Sequence, residues 1–145
     1  MIAITVTFLP AMAVSMVLQA FTPPARTLEK GASSGIETAR QVSLSTADQL
    51  TALWNEHGSA KPRPTVDFSK DMVVAVFLGT RTTSGYAVEI IGYRSASPGL
   101  KDVIVEYRET APGRDAISAQ VLTSPYHIAV IPKQTGTVSF QKVQS

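Results

Sequence analysis

Met72-Val73-Val74-Ala75-Val76-Phe77-Leu78 places seven apolar residues in an unbroken row. Seven residues make under two turns of helix, and the run is rich in Val, whose branched Cβ is stiff in a helix and at ease in a strand. A strand with one wet face alternates apolar and polar residues; this one does not, so it reads as a strand buried on both faces and central to its sheet.

Upstream lies the Pro-rich connection Lys61-Pro62-Arg63-Pro64, and before it a different period. Leu50, Leu53, Trp54 and His57 recur at i, i+3, i+4 and i+7, preceded by the capping pattern Ser45-Thr46-Ala47-Asp48 and stopped by Gly58. That spacing predicts one amphipathic helix. Arg40–Leu44 reads as a strand before it. Downstream, Tyr86, Val88 and Ile90 alternate with Ala87, Glu89 and Ile91; Ser95–Gly99 forms a turn; Val103, Val105 and Tyr107 alternate again. Ile117–Val121, Tyr126–Ile131 ended by Pro132, and Val138 with Phe140 complete the set. The pattern predicts a mainly β (α+β) fold, an antiparallel β-sandwich or curved sheet of about seven strands with one helix near the N-terminus of the domain.

The 145 residues fit one domain. Charge divides the chain sharply: the 13 Lys plus Arg and 11 Asp plus Glu all lie at or after Arg26, although average composition would place about six charges in the first 25 residues. Met1–Ala25 is mostly apolar and is followed within itself by Thr22-Pro23-Pro24, a helix stop. It reads as an export signal, with small residues before cleavage points after Ala13 or Ala20, or as an uncleaved membrane anchor. The expected localisation is therefore exported: periplasmic, cell-surface or extracellular. Residues 26–37 mix charge with Gly and Ser without apolar period and read as a flexible tether, with the folded domain over 38–145.

Chemistry is sparse. The absence of Cys removes disulfides, thiolate metal sites and cysteine nucleophiles. The net charge of +2, without Lys and Arg interleaved with aromatics, does not support a nucleic-acid surface. His57, in the last helical turn, reads as a capping or packing residue, and His127 stands at a loop-to-strand junction outside any nucleophile motif. Ser69-Lys70 and the carboxylates Glu106 and Glu109 fall at positions that usually form solvated faces. Neither a cofactor, a metal nor catalysis is expected.

Three connections carry more information. Arg81-Thr82-Thr83-Ser84-Gly85-Tyr86, Pro112-Gly113-Arg114 and Ser124-Pro125-Tyr126-His127 present Tyr, Arg and His from small, turn-forming residues on a rigid sheet, where recognition usually sits. Two readings stay open: Tyr86 and Tyr126 anchor a protein partner, or they begin core strands.

The same stretches, with Val66-Asp67-Phe68-Ser69, Phe77-Leu78-Gly79, Tyr107-Arg108-Glu109 and Ile131-Pro132, resemble the PrcB C-terminal domain, named after a subunit of a bacterial surface protease complex. The resemblance runs from about Gly35 to Phe140. Where the family often has Pro and a second Gly, this chain has Thr82 and Ser84. The resemblance implies an exported, non-catalytic domain that supports or assembles an extracytoplasmic protease or other surface complex; from the apolar N-terminal stretch, membrane contact is expected only through that segment, if it is uncleaved. A looser similarity links Thr83-Ser84-Gly85-Tyr86, Pro112-Gly113-Arg114 and Ser124-Pro125-Tyr126 to the three loops of chagasin-like protease inhibitors. It implies a wedge of loops at one end of a sandwich.

Overall fold

A computed structural model describes residues 24–144. The proposed signal or anchor, apart from its last two residues, lies outside the described residues. Among the described residues no helix is long and apolar enough to cross a membrane.

The elements run β1 (Arg26–Gly31), β2 (Arg40–Leu44), α1 (Ala47–His57), β3 (Asp71–Phe77), β4 (Ala87–Ser95), β5 (Val103–Thr110), β6 (Tyr126–Pro132) and β7 (Val138–Val143). They form two sheets. The first has the order β1-β6-β3-β2, antiparallel throughout; the second is β4-β5-β7, where β4 and β5 are antiparallel but β5 and β7 are parallel.

The unbroken apolar run becomes β3 because its sheet is the middle of three layers. Val73, Ala75 and Phe77 pack with Tyr126, Ile128 and Val130 of β6 against Leu50, Leu53 and Trp54 of the helix. On the opposite face, Met72, Val74 and Val76 join Ala129 and Ile131 against Val88, Ile90, Val105 and Tyr107 of the second sheet. A strand's side chains alternate between faces, so an apolar core on each side demands an apolar residue at every position. The helix thus covers the outer face of the first sheet.

The helix is capped one residue later than the sequence pattern indicated. Thr46 is the N-cap: its hydroxyl accepts the Gln49 N–H at 3.2 Å, and Gln49 Oε1 accepts the backbone N–H of Thr46 in return. The C-terminal stop is at Gly58, where φ is 70° and the N–H bonds back to the Trp54 carbonyl.

Three expectations are corrected. Residues 26–37 are not a tether: 26–31 pair with β6 as an edge strand, and Ile36 is buried in the helix-side core. Leu28 is the lone large apolar residue of β1, so hydrophobic period gives no signal there. Ile117–Val121 is not a strand; no ladder forms, and Ile117 is fully exposed (103%). β7 does not join in the antiparallel sense of a hairpin, because β6 before it lies in the other sheet and the chain changes layers between them.

Candidate functional site: the loop end

The connection after β3 is held from both sides. Arg81 and Thr123 exchange both backbone hydrogen bonds, at 2.7 and 2.9 Å, and the Thr123 hydroxyl donates to the Thr83 carbonyl at 3.0 Å. Ser84 pairs with Ala119 through its own N–H and through its hydroxyl, which accepts the Ala119 N–H at 3.0 Å. Gly85 has φ of 94° and lies so close to Pro112 that an added Cβ would stand 2.9 Å from the proline Cβ. Only glycine meets both demands. Residues 81–86, 112–114 and the segment leading to Ser124 therefore gather at one end of the molecule.

What they expose differs from expectation. Thr82, Gly85, Gly113 and Arg114 are exposed, while Arg81, Thr83, Ser84, Tyr86 and Pro112 are half-buried. The third loop turns inward: Ser124, Pro125, Tyr126 and His127 are all buried. Tyr126 is 5% exposed, packed between His57, with ring centroids 4.2 Å apart, and Phe77 at 6.4 Å. It begins a core strand, as the second of the two open readings had it, and offers a partner no ring. A three-loop wedge of the chagasin-like kind loses its third member. In its place stand residues absent from the expected set: Ile117, Val121 (51%) and Leu122 (73%), large apolar side chains on the solvent side of the segment that loop 81–86 clamps. Ile117 and Val121 belong to the alternation that predicts a strand over Ile117–Val121, whereas Leu122 lies outside it.

Beside this surface an open cleft of about 430 Å³ is lined by Arg81, Tyr86, Glu109, Thr110, Ala111, Lys142, Val143 and Gln144. The Arg81 guanidinium lies 5.6 Å from the centroid of the Tyr86 ring, within cation–π range.

Two buried polar groupings sit away from the cleft. In the first, Glu29 of β1 accepts the Tyr126 hydroxyl at 2.6 Å and the Ser59 hydroxyl at 2.8 Å, and faces His57 Nε2 at 3.5 Å; Ser34 Oγ bonds His57 Nδ1 at 2.8 Å. Burial acts to raise the Glu29 pKa, but the hydrogen bonds from Tyr126 and Ser59 and the field of His57 outweigh it and leave it lowered. Burial, then the bond to Glu29 and its charge, push the Tyr126 phenol up. Serine, imidazole and carboxylate are thus adjacent, yet Ser34 and His57 are both buried, Ser34 Oγ also accepts the Ile36 N–H, and none of the three lines the cleft. The group ties β1 and the helix end to β6.

The second is His127, 3% exposed. Its Nδ1 accepts the Ile90 backbone N–H at 2.7 Å, so the ring proton is on Nε2, which donates to Thr27 Oγ1 at 2.8 Å. Burial, then the charge of Lys30, push its pKa down to about 4, with Glu89 pulling the other way. Among the described residues no three His, Asp or Glu side chains converge as a metal set would require.

Residues 72–132, from β3 through β6, match the family model described as PrcB C-terminal. This segment belongs to the PrcB C-terminal family. No curated protein and no solved structure matches the chain. The PrcB C-terminal segment contains both halves of the clamp, Arg81–Tyr86 and Pro112–Thr123, and the central strands that carry them; β1, β2, the helix and β7 lie outside it.

Proposed function

We propose that this chain is a non-catalytic, exported binding module of PrcB type that supports or assembles an extracytoplasmic protein complex, a protease complex first among them. The loop end is its docking surface. The observation that carries this reading is the exposure of Ile117, Val121 and Leu122 on a segment fixed by main-chain hydrogen bonds to loop 81–86. Large apolar side chains held out in water by a rigid support are the usual signature of a partner surface.

Orientation supports the same reading. β1 starts with Arg26 opposite Val130 and ends with Gly31 opposite Tyr126, and Ser33 then bridges to Ser124 at the loop end. At about 3.3 Å per residue the N-terminal segment reaches the domain roughly 17 Å from the loops. A chain held at a membrane through its first residues would present the loop end outward.

The test is photo-crosslinking in the native envelope from the full chain, with the probe at Val121 or, on the outer strand β7, at Ser139. Capture of one protein from Val121 alone, lost when the flanking Ile117 and Leu122 are both changed to Ser, is the expected result. Because these side chains are exposed, each change should move stability by no more than about 0.5 kcal/mol. If the captured partner is a protease, its activity should survive in the complex; inhibition would replace the supporting role by an inhibitory one. Equal capture from both positions, or capture from Val121 that survives the change of Ile117 and Leu122, overturns the assignment of the surface.

A further inference from the structure

We infer that the cleft of Arg81, Tyr86 and Lys142 takes a carboxylate of an extended partner segment, so that the partner meets the loop end with an acidic group beside its apolar contact. The inference rests on the binding-module reading and adds the partner's chemistry to it.

Arg81 is the first ground. Arg40 is paired with Glu56, and Arg94 with Glu106 and Gln141, whereas none of the ion pairs or side-chain hydrogen bonds among the described residues uses the Arg81 guanidinium. It is half-buried and stacked near the Tyr86 ring, which limits its freedom and leaves its N–H donors unclaimed. A planar guanidinium in that state matches a carboxylate with two parallel hydrogen bonds.

Charge is the second. Two cations, Arg81 and Lys142, line the cleft against one carboxylate, Glu109, giving 2 − 1 = +1; Lys142 and Glu109 are 3.6 Å apart, a loose pair. A single negative charge balances the site. A phosphate dianion would over-fill it and face Glu109.

Backbone geometry is the third. The parallel ladder between β5 and β7 ends at Arg108 opposite Val143, while β5 continues through Glu109 and Thr110. The main chain of β5 on that side has no ladder partner beyond Arg108 among the described residues, and it is there that the cleft opens, between Thr110 and Ala111 and Val143 and Gln144. An extended segment can lie along this edge, taking main-chain hydrogen bonds as an added strand does. Arg81 links the cleft to the segment that carries the apolar side chains, since it lines the cleft while its main chain pairs with Thr123, next to Leu122.

The test titrates ¹⁵N-labelled full chain with four short peptides: acetyl-Leu-Ile-Glu-amide, its Gln counterpart, acetyl-Ala-Leu-Ile with a free C-terminus, and the same peptide amidated. Expected are shifts of the Arg81, Tyr86 and Thr110 amides with at least one carboxylate peptide, binding at least tenfold weaker for its neutral counterpart, and a loss of at least tenfold in Arg81→Gln. Arg81→Lys, which keeps the charge without the planar fork, should fall between. Whichever acidic peptide binds identifies a side-chain or a terminal carboxylate as the source. Neutral peptides binding as well as acidic ones, no binding by any, inorganic phosphate binding as tightly as the best peptide, or an Arg81→Gln protein that binds undiminished while its melting curve matches the parent, each overturns the inference. Crosslinking from Val121 that persists in Arg81→Gln beside such a result would leave the binding surface standing and remove only the carboxylate site.

Discussion

Two tyrosines of similar sequence context, each following small loop residues and each starting a strand-like alternation, have opposite fates. Tyr86 stays half-buried beside Arg81, while Tyr126 enters the helix-side core, where its hydroxyl meets Glu29. Aromatic rings lost from a packed core cost about 3–5 kcal/mol, so Tyr126→Ala should destabilise the domain by that order. Tyr86→Ala should cost about 1 kcal/mol or less. Tyr126→Phe separates ring from hydroxyl: it keeps the packing on His57 and Phe77 but leaves a largely buried carboxylate short of one donor, at about 1–3 kcal/mol. Urea melts of the three variants check this ordering. A Tyr126→Ala protein as stable as Tyr86→Ala would contradict the burial on which the revised docking surface depends.

β1 shows the limit of reading elements from hydrophobic period. Its pairing with β6 is secured by main-chain bonds and by polar side chains: Thr27 to His127, Glu29 to Tyr126 and Ser59. Deleting residues 26–31 would strip the edge of β6 and leave the Tyr126 hydroxyl and His127 Nε2 without the partners that β1 supplies. The deletion should therefore lower the melting temperature by about 10 °C or more, and the uncovered edge should promote association, detectable by light scattering. A tether would change neither. By contrast β3, β4, β5, β6 and the helix were legible, because each buries a face and so writes a period into the sequence. The segment 117–121 misled for the complementary reason: alternation records an apolar face without recording what covers it, and here nothing among the described residues does. The candidate site was legible as a set of loops, since Gly85 and Pro112 mark the turns that meet. Its third member was not, because the inward course of Pro125 and Tyr126 is set by pairing with β1 and β3, contacts distant in sequence.

At the scale of the whole molecule, His127 ties the two sheets together with a buried hydrogen bond, in addition to the Gln41 amide that donates to the Tyr107 hydroxyl at 2.8 Å. It stands on β6 and bonds Thr27 of β1 in its own sheet and Ile90 of β4 in the other. Protonation of Nδ1 would set an N–H against the Ile90 N–H, so the folded state holds the ring neutral down to about pH 4, whereas an unfolded chain protonates it near its ordinary value of 6.5. Between those values the unfolded state binds the extra proton, and stability therefore falls as pH falls from 6.5 toward 4; above 6.5 the contribution is complete. By pH 4.5 the loss amounts to about 2–3 kcal/mol. The lowered carboxyl of Glu29 acts with the same sign in a lower window: its contribution is complete above its unfolded value of 4.5 and is lost as pH falls through its folded value. Denaturant melts at pH 7.5, 5.5 and 4.5 should show the first loss in the parent protein. His127→Asn, whose side-chain oxygen can still accept from Ile90 and has no proton to gain in this range, should be less stable at pH 7.5 yet lose much less of its stability down to pH 4.5. Equal slopes in the two proteins would assign the acid sensitivity to groups other than the histidine that joins the sheets.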